Sequence, residues 1–201
     1  MSLVKHNNNS ISDITTPGSL AQGKMTLISS QTASGSASIE FTSGIDSTYP
    51  IYQFEFINMH PATDSVDFQF NLSTDGGSNY NVTKTTTFFR SFNFEDDSSR
   101  DLNYQTNEDL AQSTAFQSLA DRIGNDADAS CSGTLHLFNP SSTTFVKHFI
   151  ATGNRMFSSP VTANDFIAGY GNTVSSVNAV KFVMSSGNID SGTIKLYGIG
   201  E

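Results

Sequence analysis

The chain has 201 residues and a mass of 21.6 kDa, with a formal net charge of −9 and only 14% charged residues against 36% apolar ones. A pI near 4.7 excludes nucleic-acid binding by charge neutralisation, which needs clustered Lys and Arg. No apolar run approaches the roughly 18–20 residues of a membrane span, and the single Cys131 excludes an intrachain disulfide or a thiolate metal cage.

The stretch Met1 to Gly23 is rich in Asn and Ser, broken by Pro17-Gly18, and thin in apolar residues. It predicts an arm or linker ahead of one β domain spanning 24–201. Met1 to Asn9 has no apolar h-region, so no secretory leader or anchor is expected. The remainder carries 16 Phe and 6 Tyr, unlike a disordered chain. Its exposed positions are filled by Ser, Thr and Asn, as on a protein packed against copies or neighbours, or through compositional drift in an ordinary secreted or viral domain.

After Lys24 the apolar pattern turns to period two. Met25 to Ile28 and Ser38 to Phe41 are short strand candidates, separated by the Ser/Gly/Ala stretch around Gly35. From Ile51 to Met59, Tyr52, Phe54 and Phe56 share one face and Gln53 and Glu55 the other. Val66, Phe68, Phe70 and Leu72 alternate with Asp67, Gln69 and Asn71, so one face belongs in the core. His60 to Asp64 reads as a turn joining these two strands into an antiparallel pair, and Asp75-Gly76-Gly77-Ser78-Asn79 as the next turn.

Lys84 to Phe94 predicts a long strand, and Thr143 to Phe149 repeats its spacing of Phe, base and Phe. Both are apolar on two faces: Phe88 and Phe92 against Phe89, and Phe145 and Phe149 against Val146 and Ile150. Such strands need cover on both sides, from a loop or from another subunit. Between them, Glu95 to Ser130 is a polar excursion. Thr106 to Asp109 has the form of a capping box, followed by Leu110, Phe116, Leu119 and Ile123 and stopped by Gly124, so the excursion holds a short helix or lies across a sheet. Strands resume at Gly133 to Phe138. Val180, Phe182 and Met184 then lead through a turn at Ser186-Gly187-Asn188 to Ile194 and Leu196 as a meander. The predicted fold is all-β: an antiparallel sandwich, jelly-roll-like, with Phe54, Phe56, Phe68, Phe70, Phe182, Ile194 and Leu196 in its core.

No catalytic motif emerges. The chain has neither a Gly-x-Ser-x-Gly elbow nor a phosphate-binding Gly-x-x-x-x-Gly-Lys-Ser/Thr loop. His6, His60, His136 and His148 lack the i, i+4 pairing of a helical zinc site, although His136 and His148 lie on neighbouring strand candidates. Asp126-x-Asp128-x-Ser130 opens like a calcium loop, but position twelve would be Leu137 and position six is not Gly. Glu95-Asp96-Asp97 and Asp101 read as a solvated loop. Carboxylates paired for glycoside cleavage depend on the fold, and no Trp is present to form a sugar platform. The sequons at Asn71 and Asn81 matter only in a eukaryotic secretory pathway. No enzyme, metal or cofactor is expected.

Four segments resemble a family of small structural proteins of marine bacteriophages, particularly those infecting cyanobacteria. They are Phe41 to Asp64 (FTSGIDSTYPIYQFEFINMHPATD), Phe68 to Arg90 (FQFNLSTDGGSNYNVTKTTTFFR), Leu135 to Phe149 (LHLFNPSSTTFVKHF) and Val180 to Ile199 (VKFVMSSGNIDSGTIKLYGI). The resemblance implies a virion component that is fibre-like, tail-associated or capsid-decorating, and it transfers no functional residue. The expected partners are copies of the chain, as a homo-oligomer and most simply a trimer, and other capsid or tail proteins. No membrane or nucleic-acid partner is expected. The alternative is a host-recognition module that binds surface glycan, with the polar excursion and Tyr104 at its tip.

Overall fold

A computed structural model describes residues 24–200, which form twelve β-strands and no helix. In chain order they are β1 (Lys24–Ser36), β2 (Ile39–Phe41), β3 (Ile51–Pro61), β4 (Val66–Ser73), β5 (Lys84–Phe94) and β6 (Arg100–Tyr104). There follow β7 (Gln117–Ile123), β8 (Cys131–Phe138), β9 (Lys147–Met156), β10 (Val161–Gly171), β11 (Ala179–Met184) and β12 (Ile189–Gly200). The expected arm, Met1 to Gly23, lies outside the described residues.

One sheet has the order β1-β12-β3-β8-β9-β10-β5-β6 and the other β2-β11-β4-β7, with every pairing antiparallel. Without β5, β6, β9 and β10, two four-stranded sheets remain: β1-β12-β3-β8 and β2-β11-β4-β7. Their strands follow the interlocked Greek-key path of a jelly roll, as the sequence predicts. The four additional strands leave the roll after β4 and after β8. They meet through the β10–β5 pairing and widen the first sheet.

All seven predicted core residues are at most 1% exposed. Phe182 occupies the middle, its ring centroid 5.3 Å from that of Phe54, 5.7 Å from Phe68, 6.2 Å from Phe41 and 6.5 Å from Phe70. The packing also depends on missing side chains. Gly133 and Gly153 are cross-strand partners, and a Cβ on Gly133 would lie 2.8 Å from Phe56 Cζ and 2.3 Å from the Thr152 carbonyl oxygen. Small residues there let the aromatic ring lie flat against the backbone.

Five expectations are corrected. Strands β3 and β4 do not pair; the turn between them carries the chain from one sheet to the other, and Phe56 meets Phe68 across the sandwich at 5.3 Å. Strands β11 and β12 likewise lie in opposite sheets and form no meander. Alternation reports that one face is buried, and it is the same whether the next strand lies beside or opposite. The capping-box residues close only a turn, Glu108 N–H donating to the Gln105 carbonyl at 3.2 Å, and Leu119 and Ile123 belong to strand β7. Finally, Thr143 to Val146 precede β9 instead of forming it, because Lys147 Nζ turns back to the Phe145 carbonyl at 2.7 Å and leaves the Phe145 ring 68% exposed. The Ser/Gly/Ala stretch around Gly35 interrupts nothing until Ser36: β1 runs through it as one long strand on β12.

Candidate interaction surface

Direct cross-strand partners share a face of a sheet, so the register sorts the wide sheet into an inner and an outer side. The outer side carries the row Tyr104, Phe89 and Phe166 across β6, β5 and β10. Beside it, Tyr170 stands opposite His148, and Ala168 opposite Ile150, which is opposite His136. Farther along, Ile51 is opposite Ile199 and Ile199 opposite Met25, with Tyr197 opposite Leu27. Phe89 and Phe166 stack at 4.9 Å with planes 9° apart. Phe138, His148, Ile150 and Tyr170 border a shallow concavity of about 450 Å³.

This side carries several large apolar side chains exposed among Thr, Ser, Asn and Gln residues such as Thr87, Ser91, Thr152 and Gln53. Leu102 is 65% exposed, Ile150 52% and Phe89 41%. Its charges are few, chiefly the opposed Glu55 and Lys195. The four-stranded sheet differs: Glu40 and Lys181 form an ion pair at 2.9 Å on its β2–β11 pairing, and Tyr80 Oη donates to Glu40 Oε2 at 3.1 Å. The two-faced strands anticipated from sequence therefore resolve unequally. Phe88 and Phe149 enter the core, while Phe89 and Ile150 find no cover within the described residues.

Under the added strands the core is charged. Arg155 is 1% exposed; its Nε donates to Asp165 Oδ2 at 2.6 Å and its guanidinium also binds Asp121. Arg90 donates to both Asp121 oxygens, at 2.8 and 2.6 Å, and to Gln105 Oε1 at 2.5 Å. Burial raises the Asp165 carboxyl to about 6, even with the Arg155 guanidinium opposing that shift. This network binds β9, β10 and β5 of one sheet to β7 of the other.

Lys84 is fully buried with no carboxylate partner among the described residues; its Nζ donates to Asn71 Oδ1 at 2.5 Å and to the Val82 carbonyl at 2.9 Å. Burial lowers its pKa to about 7. The unfolded lysine keeps its proton to roughly 10.4. Between these values the unfolded chain binds more protons than the native one, so this contribution makes stability rise with pH. In melts, the stability of the parent relative to Lys84→Met should therefore increase as pH rises from about 7 to about 9.5, with the variant relatively most stable at the lower end. A constant difference would show that the buried amine does not titrate there.

The remaining sequence candidates are separated. His60 Nδ1 lies 2.6 Å from the Ala129 carbonyl, and His136 Nε2 lies 2.9 Å from Gln53 Oε1. His148 contacts the Tyr170 ring and is not opposite His136. Among the described residues no three His, Cys, Asp or Glu gather as metal ligands. Asp97 pairs with Arg100 at 2.5 Å, and Asp101 accepts from Leu102 N–H and the Asn103 amide. The acids that do converge, Asp121 and Asp165, are buried between arginines and open to no cleft. Asn71 is buried, its amide donating to the Tyr80 and Thr114 carbonyls, which closes that sequon to modification in the folded chain. Tyr104 lies on the outer face, its hydroxyl donating to Asp109 at 2.6 Å. Burial pushes the Cys131 thiol well above its ordinary range. No protein-family model, no curated protein and no solved structure matches the chain.

Proposed function

We propose that this protein is a structural subunit of a bacteriophage particle, acting by assembly and not by catalysis. It self-associates as a trimer through the outer side of its wide sheet and attaches to other capsid or tail proteins. The observation that carries the reading is the set of exposed apolar side chains on that side, Leu102, Phe89 and Ile150, on a chain with so few charges. Removing such side chains from water on association contributes about 1.5–3 kcal/mol for each fully buried Phe or Ile. The virion assignment is supported by the sequence resemblance, and the jelly roll is an architecture that capsid domains use.

Light scattering on the eluting protein tests self-association. The parent should elute at three times the 21.6 kDa chain mass. The double variant Phe89→Lys/Ile150→Lys should elute as a monomer that keeps the parent's circular dichroism spectrum, because both side chains are exposed within one chain, with a melting temperature lowered only by the loss of association. A parent that stays monomeric at high concentration would retire the proposal.

A further inference from the structure

A second feature lies away from the apolar row, on the inner side of the added strands. There a cavity of about 350 Å³ opens between β5, the end of β7 and the β9–β10 turn. That volume is at the small end of ligand pockets. Its two charged lining residues are both arginines, Arg90 and Arg122, and no carboxylate lines it.

Both guanidiniums are held from behind. Asp121 takes Arg90 Nη1 and, at 3.1 Å, Arg122 Nε, while Gln105 takes Arg90 Nη2. The Phe157 ring carries three guanidiniums, with centroid distances of 3.9 Å to Arg155, 4.9 Å to Arg122 and 5.6 Å to Arg90. Such contacts orient the planar cations. What remains are donors already in place. The open donors are the two Nη groups of Arg122, whose side chain is 50% exposed and which have no partner among the described residues; the Nε–H of Arg90 lies just beneath, buried without a partner. An unsatisfied buried donor is costly unless something binds it.

The other walls define the rest of the ligand. Phe92 and Phe94 form an aromatic corner, their rings 6.0 Å apart at 75°. Ser65, Ser158 and Ser159 complete the polar part of the lining. Guanidinium forks match the planar oxygens of a carboxylate, aromatic faces take the C–H face of a ring, and serines take hydroxyls. We propose that this cavity binds an acidic monosaccharide, a six-membered sugar ring bearing a carboxylate.

The test is an NMR titration of the full chain, observing backbone amides and arginine Nε–H groups, with glucuronate as probe and glucose, benzoate and inorganic phosphate as comparison arms. Glucuronate should shift the Arg90 and Arg122 signals saturably, with a dissociation constant on the order of 1 mM or tighter. Glucose should bind at least about tenfold more weakly, as expected when an ionic fork is left unmatched. Arg122→Gln should weaken glucuronate binding by about tenfold or more, and its unchanged amide spectrum away from the cavity would separate lost binding from lost folding. Benzoate or phosphate binding as tightly as glucuronate would show that the ring hydroxyls are not read and would overturn the assignment. So would the absence of saturable shifts with glucuronate, or an Arg122→Gln variant that binds like the parent.

Discussion

Arg155→Met should lower stability by about 3–5 kcal/mol, the usual consequence of removing one partner from a buried ion pair. The variant leaves Asp165, 0% exposed, without its cation, and takes one of two buried arginines from Asp121. The loss should be smallest in acid. Asp165 in the native chain holds its proton to about 6, above the unfolded aspartate value of 3.8, so its contribution makes stability fall as pH rises through that interval. Without Arg155 the native carboxyl holds its proton to still higher pH, and the penalty grows toward neutrality. Urea titrations of both proteins at acidic and neutral pH measure this. Asp165→Leu added to Arg155→Met should recover part of the loss, because replacing both partners removes the stranded charge. A single variant as stable as the parent would mean that the network contributes little to joining the two sheets.

Phe182→Ala should have an effect of similar size, about 3–5 kcal/mol, for a different reason. Its ring touches four other phenylalanine rings and is 0% exposed, so truncation leaves a cavity that neighbours on two rigid sheets cannot close. Against a typical margin of about 5–15 kcal/mol, that is a large fraction of the whole. The denaturation midpoint checks it. A loss under about 1 kcal/mol would place Phe182 outside the tightly packed centre.

The contrast between these residues explains what the sequence makes legible. Phe54, Phe56, Phe68, Phe70 and Phe182 alternate with polar residues, so strand identity and core membership can be read directly. The inward positions of β10 are Val161, Ala163, Asp165 and Ile167, and those of β9 include Gly153 and Arg155. Their faces hold an ion pair and a glycine gap for Phe56, so no hydrophobic period marks them. The network of Arg90, Asp121, Arg155 and Asp165 is invisible for the same reason: its members are distant in sequence and become partners only through the β10–β5 and β10–β9 pairings and the packing of β7 against them from the other sheet. The signal in the sequence is an Arg inside the Phe-rich strand Thr87-Phe88-Phe89-Arg90-Ser91-Phe92. A cation at an inward strand position demands a buried anion. The outer face is legible in part, since Phe89 beside Phe88 announces apolar residues on both sides, but which one stays exposed is decided by the sheet opposite.

The meeting of β5 with β10 has a consequence during synthesis. These strands are hydrogen-bonded neighbours, yet β5 ends at Phe94 and β10 begins at Val161. A ribosome adding about 5–20 residues per second leaves the Phe88 edge of the nascent chain waiting several seconds for its mate. During that interval the emerging polypeptide offers an unzipped template to any neighbouring nascent chain, so its yield in a cell should depend on how crowded its polysomes are and on chaperones that shield that edge.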